Sequence, residues 1–287
     1  MNVFKKFKQI LTANIKTYEY LREINMSHKI SQYRSLMSEI RESDPDHILL
    51  KGYKVFSQVD EDGIIEAIFS DISEKNKVFV EIGCGNGLEN NTHLLLLRGW
   101  KGVWIDGGEE NIEFIKKNTH PSPGKLVISQ KFIYPDNAIA SVSESVAQLG
   151  VRPKEIDFLS LDIDGFDYEV LRHVIDLGPR VLCVEYNPEF RPPHEVSVDA
   201  DGYTGWDRTM YHGASLQKIF NLLQPKGYAL VCCSLSGYNA FFVKEDQLHN
   251  LTAKTPTEVY QTPREYLVGI RFGHKKGFGF LNQVLKA

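Results

Sequence analysis

The chain has 287 residues, 42% hydrophobic and 24% charged, enough for one large α/β domain with appendages or for two small domains. The net charge of −4 leaves no basic excess to grip a nucleic-acid backbone, which argues against DNA or RNA as substrate. Cys84, Cys183, Cys232 and Cys233 form no CxxC pair, and three of them lie in apolar runs, so buried thiols in a reducing cytoplasm are expected rather than disulfides.

Residues 3–42 are predicted as one or two helices. Val3, Phe4, Phe7, Ile10, Leu11 and Ile15 form a stripe at helical spacing, continued by Tyr18, Leu21 and Ile24, with Lys5, Lys6, Lys8 and Lys16 mostly on the other face. The pattern fits a helical extension packed on the main domain. It also fits a cap over a site, a homodimerisation element or a basic amphipathic surface helix. The basic start has no long apolar core and no small-residue cleavage site, so neither a signal peptide nor a transmembrane span is expected. After a polar turn and a short apolar run, Phe56–Ile72 places Gln58, Asp60, Glu61 and Asp62 ahead of a helix with Ile64, Ile65, Ile68 and Phe69 on its apolar face. Acids suit a helix start for dipole reasons alone. Gln58 has no such explanation and is a candidate for a ligand carboxylate.

The stretch from Val78 to Gly108 organises the rest. An apolar strand pattern, Val78-Phe79-Val80, ends in Glu81, and a glycine cluster follows at Gly83, Gly85 and Gly87. Leu94–Leu97 reads as a helix, and a second apolar run ends in Asp106, about twenty residues past the turn, where such folds set an acid on ribose hydroxyls. This is strand, glycine turn, helix, strand: the opening of a doubly wound sheet. A dinucleotide fingerprint needs a third glycine where this chain has Leu88, which argues against an NAD-dependent oxidoreductase. The G-x-G-x-G spacing with Glu81 upstream resembles motif I of class I S-adenosylmethionine methyltransferases. Glu81 then suits the methionine amino group.

Further along, Asn111–Asn118 is predicted as a helix, Lys125–Ile133 as a third strand and Ala138–Leu149 as a short helix. Phe132, Asp136 and Asn137, at the end of the third strand and in the loop after it, are candidates for a nucleobase contact. A fourth strand ends at Phe158–Leu161, followed by Asp162, Asp164 and Asp167 around Gly165. If the strand persists, Asp162 and Asp164 project to one side. Arg180–Glu185 is the fifth strand, tipped by Glu185. Residues 188–211 carry Pro188, Pro192 and Pro193 and are long enough for a lid or substrate loop. Ser215–Leu223 is a helix, and Tyr228–Cys233 with Asn239–Val243 is a hairpin. The last segment, residues 250–287, turns aromatic and glycine-rich and receives no assignment.

SQVDEDGIIEAIF, VEIGCGNGLENNT, GWKGVWIDGG, FLSLDIDGFDYEVL, VEYNPEF, YHGASL and KGYALVCCSLSGYNAFFV, in this order and spacing, resemble an FkbM-type methyltransferase from about Phe56 to Val243. The resemblance implies a Rossmann-like class I methyltransferase fold: a mainly parallel seven-stranded sheet with a terminal antiparallel hairpin, here with added N-terminal helices. The chain is expected to divide into a helical extension over residues 1–50, a methyltransferase domain over 51–250 and a C-terminal extension over 251–287, the two extensions lying outside the resemblance. The resemblance implies S-adenosylmethionine as cofactor and O-methylation, often of a sugar hydroxyl in a glycan, a nucleotide-linked sugar or a glycosylated metabolite. Gln58, Glu81, Gly83, Gly85, Asp106, Phe132 and Asp162 are the candidate cofactor contacts.

A sugar hydroxyl must lose a proton as it is methylated, by a general base or by a metal that lowers its pKa. Asp162, Asp164 and Glu185, at the tips of the fourth and fifth strands, make an all-oxygen set suited to Mg²⁺ or Mn²⁺. Asp164 and His212 are the candidate catalytic groups, with His194 second to His212. The plainer readings are that Asp164 and Asp167 cap a turn and a helix, that Asp162 serves the cofactor's amino group and that His212 bonds to backbone. An N- or carboxyl-methyltransferase and a catalytically silent methyltransferase-like assembly module are the competing functions.

Overall fold

The computed structural model describes residues 2–199, 205–270 and 274–286, with side chains from residue 5 onward. The stripe residues Val3 and Phe4 and part of the expected lid, residues 200–204, therefore lie outside the described side chains.

Seven strands form one sheet: β1 (Val78–Ile82), β2 (Lys101–Asp106), β3 (Leu126–Gln130), β4 (Phe158–Leu161), β5 (Val181–Glu185), β6 (Tyr228–Cys233) and β7 (Asn239–Lys244). Their order across the sheet is β3-β2-β1-β4-β5-β7-β6. The first five pair in parallel; β7 runs antiparallel to both β5 and β6. This is the Rossmann-like methyltransferase arrangement, terminal hairpin included.

Side-chain parity splits the core into two layers. Val78, Val80 and Ile82 of β1, Leu159 and Leu161 of β4 and Leu182 and Val184 of β5 pack on one face. That face is covered by α5 (Ala138–Ala147), α6 (Asp167–Val174) and α7 (Leu216–Leu223). Phe79, Phe158 and Cys183 point to the other face, beneath α2 (Glu61–Ile72), α3 (His93–Leu97) and α4 (Glu109–Asn118). All four cysteines are buried and unpaired.

The C-terminal segment, unassigned from sequence, forms α8 (Pro256–Val259) and α9 (Gly279–Lys286). Phe278, Leu281 and Leu285 are buried in the second layer. Phe278 stacks on His93 with ring centroids 5.6 Å apart, and His93 stacks on Phe56 at 3.7 Å.

The N-terminal region is one helix, α1 (Asn2–Ser43). Among the described residues, only its part beyond residue 25 meets the domain. Tyr33, Leu36, Met37 and Ile40 pack against the second layer, and Lys29 Nζ donates to the Val268 carbonyl at 2.8 Å. Every described residue from 5 to 25 is exposed, so the expectation of a packed extension fails for this part: no described segment lies within reach of its stripe. Among the described residues, no helix is long and apolar enough to cross a membrane.

Candidate functional site

Strand order reverses between β1 and β4, and ligands of such sheets bind outside the carboxyl ends of the strands at that point. A cavity of about 690 Å³ opens there. Its floor is the turn after β1. Gly83 has φ +87°, and a Cβ on it would fall 1.6 Å from the Asp162 carbonyl oxygen, so only glycine lets the two loops touch. Gly85 has φ +53° and open space where a Cβ would point, which leaves its backbone accessible to a ligand.

Asp106, at the tip of β2, faces the same cavity. Its carboxylate accepts from the Gly85 N–H at 2.8 Å, the Gly108 N–H at 2.7 Å and Asn111 Nδ2 at 3.1 Å. Phe132 lines the wall and is 64% exposed, so its ring face is open to the cavity. Tyr134 stacks near it at 6.5 Å. Of the three nucleobase candidates, Phe132 reaches the cavity. Asn137 instead closes the local turn, accepting from the Tyr134 N–H and donating to the Phe132 carbonyl. Asp136 is not among the lining residues. The open glycine turn, the carboxylate at the second strand tip and the uncovered aromatic wall fit an adenosyl group.

Glu81 is elsewhere. It is buried, outside the cavity wall, on the face of β1 that carries Phe79. One carboxylate oxygen accepts from the Asn91 N–H at 2.8 Å and the other from the Thr92 hydroxyl, which in turn accepts from Trp104 Nε1 at 2.7 Å. Burial pushes its pKa up to about 7. In this structure Glu81 fixes the loop that leads into α3.

Asp162, Asp164 and Glu185 do come together: one carboxylate oxygen from each lies within 4.8 Å of the others. The route differs from the expected one. Strand β4 stops at Leu161, and Asp164 returns beside Asp162 because its backbone is left-handed, at φ +54°. Asp167 is spent on structure, accepting from the Ile163 and Gly165 N–H groups at the start of α6. Burial and the neighbouring carboxylates of Asp167 and Asp164 push Asp162 up to about 8. Burial and Asp162 raise Glu185 as well, and the two share a hydrogen bond. Carboxylates this close do not all ionise unless a cation joins them, so the set holds either a proton or a metal.

A second cavity, of about 450 Å³, shares Gln58, Asp164 and Glu185 with the first. His212, Trp206, Arg208, Tyr238 and Glu265 are among the other residues of its wall. His212 is half-buried there, its ring 5.5 Å from Trp206. Its backbone is pinned by Asn187, a buried residue whose Nδ2 donates to the carbonyls of Met210 and His212 at 2.8 and 2.9 Å. His194 is exposed and lines neither cavity. Gln58 borders both, and its buried Oε1 has no hydrogen-bond partner among the described residues. Sequence reasoning missed Tyr134, Asn111, Trp206 and Tyr238. Trp206 and Tyr238 fall in a loop and a hairpin turn whose path no periodicity dictates.

No family model matches the chain, and no curated protein matches it. Among solved structures it is similar to a SAM-dependent methyltransferase from Methanosarcina mazei, at 16% identity over 61% of this chain and 94% of that one, with a TM-score of 0.37. It is similar to an S-adenosylmethionine-dependent methyltransferase from Clostridium acetobutylicum at 10% identity, over 75% of this chain and 98% of that one, with a TM-score of 0.36. It is also similar to the bifunctional kinase-methyltransferase WbdD, at 16% identity over 58% of this chain and 34% of that one, with a TM-score of 0.33.

Proposed function

We propose that the protein is an S-adenosylmethionine-dependent O-methyltransferase whose acceptor is a sugar hydroxyl. The observation that carries this reading is the wall shared by the two cavities: Asp164, Glu185 and Gln58 border both. The first cavity suits the methyl donor and the second the acceptor, so the transfer would occur across three oxygen-bearing side chains. When bound, the cofactor supplies an electrophilic methyl group on a sulfonium, already a good leaving group, which leaves the protein mainly to align and to accept a proton.

Asp106 would take the ribose hydroxyls, the Gly83–Gly85 turn would let backbone approach the ligand, and Phe132 with Tyr134 would cover the adenine. Gln58 and Asp162 would meet the amino-acid end, the unpartnered Gln58 oxygen accepting from the ammonium. Trp206 and Tyr238 offer the apolar faces on which sugar rings stack.

The acceptor proton has two possible destinations. The carboxyl groups of Asp164 and Glu185 lie at the boundary between the cavities, and His212 lies in the acceptor wall. The three carboxylates also fit a hard divalent cation such as Mg²⁺ or Mn²⁺, which would lower the pKa of an acceptor hydroxyl when bound.

Calorimetric titration with S-adenosylmethionine, before and after chelator treatment and with Mg²⁺ or Mn²⁺ restored, tests the reading. Micromolar binding is expected, with a separate metal signal that Asp164→Ala removes while donor affinity stays within about threefold. Donor binding that ignores metal would assign the proton to His212. Absence of donor binding would overturn the enzyme reading.

A further inference from the structure

The part of α1 that leaves the domain has no role in the site. It is a 42-residue helix, about 60 Å long at 1.5 Å per residue, whose described residues 5–25 are all exposed and which is anchored beyond them. At ~100° of turn per residue, Phe7, Ile10, Leu11, Ile15, Tyr18 and Leu21 share an arc of about 140°. Asn14 alone interrupts it between residues 5 and 21. Phe7 and Tyr18 are 65% and 67% exposed, and Ile10, Leu11, Ile15 and Leu21 each about half. A single exposed apolar residue means nothing, but six on one arc of one helix need a partner.

The charges choose between partners. Lys6 and Lys8 border the arc on its two sides, Lys5 and Lys16 lie on the opposite face, and no acid occurs in the described helix before Glu19. A second copy of this helix is a poor match. With Leu11 and Tyr18 at a and Phe7, Asn14 and Leu21 at d, the e positions are Lys8, Ile15, Arg22 and Lys29, and the g positions Ile10, Thr17 and Ile24. Parallel pairing gives these cations no acid at g, and antiparallel pairing sets them against one another. An anionic lipid surface takes both features: acyl chains meet the apolar arc, and headgroups meet lysines whose stems lie along its edges.

We propose that residues 5–21 of α1 bind anionic membrane surfaces as an interfacial helix, lying in the headgroup layer and not crossing it. The proposal rests on this helix alone and is independent of the reaction assigned to the site.

The full-length protein is pelleted with vesicles of phosphatidylcholine alone, or with vesicles that also contain phosphatidylserine. Binding to the second kind is expected, weakened by salt. It should fall by about tenfold or more in a Leu11→Glu, Ile15→Glu variant and in a Lys5→Gln, Lys6→Gln, Lys8→Gln variant. Both variants should keep the wild-type melting temperature, since the substituted side chains touch no described residue of the domain. Failure to bind phosphatidylserine vesicles, or binding that both variants retain, would overturn the proposal. So would a doubled mass in light scattering that the Leu11→Glu, Ile15→Glu variant abolishes, which would give the face to a second copy of the chain.

Discussion

Asp162 holds its proton more tightly in the folded chain than in the unfolded one, at about 8 against 3.8. The sign follows: its contribution to stability is whole below about pH 4 and is lost as pH rises through about 8. The melting temperature of the metal-free protein should therefore fall between about pH 4 and pH 8, and fall less in Asp162→Asn, which carries no charge to bury. Mn²⁺ should restore the wild type at the alkaline end and leave the variant unmoved. Equal pH profiles would show that the three carboxylates are not crowded as drawn. The sequence announced these acids through their spacing but misled on their geometry, because alternation along a strand holds only while the strand lasts. Glu81 is the reverse case. Strand parity alone puts it on the side of Phe79, facing the loop before α3, although its motif suggests a ligand.

Strands β1 to β7 were legible because each is a short, largely apolar run, several of them closed by glycine or acid, and the mainly parallel sheet with its terminal hairpin was implied by the family resemblance. Two elements were not. For α1 the periodicity revealed a helix but not its neighbours, since an apolar stripe looks the same whether it meets protein, lipid or water. For the C-terminal segment the buried set of Phe278, Leu281 and Leu285 does have helical spacing, but glycines and charged residues around it hide the signal. That segment is structural: the Ser122 N–H donates to the Leu285 carbonyl at 2.8 Å, and Asn282 Nδ2 donates to the Asn118 carbonyl at 2.7 Å. Phe278→Ala would open a hole beside His93, whose stacked ring is pushed down to a pKa of about 4 by burial. A loss of about 3 kcal/mol in urea unfolding is expected, with the pKa of His93 moving back toward its ordinary value as water enters. An unchanged unfolding midpoint would mean that α9 does not close the second layer.

Across the whole molecule, the two ends of the sheet do different work. The amino ends of the strands are held by a buried ion pair. Asp157 Oδ2 accepts from the Lys75, Asn76 and Lys77 N–H groups, and Oδ1 takes Arg180 Nη1 at 3.2 Å. The same guanidinium donates to the Ser73 and Ile72 carbonyls, tying β4 and β5 to the end of α2. The carboxyl ends carry the glycine turn, the left-handed Asp164 and the crowded acids, where strained backbone and close carboxyl groups cost stability. Substitutions at the two ends should therefore separate. Arg180→Met strands a buried carboxylate and is expected to cost about 3 kcal/mol or more in denaturant unfolding, with S-adenosylmethionine affinity of the folded protein unchanged. Asp106→Ala should instead weaken donor affinity about tenfold or more, with a smaller stability cost of about 1–2 kcal/mol because the part-exposed N–H groups it releases can turn to water. Full donor affinity in Asp106→Ala would remove the second strand tip from the cofactor site, and the aromatic wall at Phe132 would then have to bind the nucleoside without it.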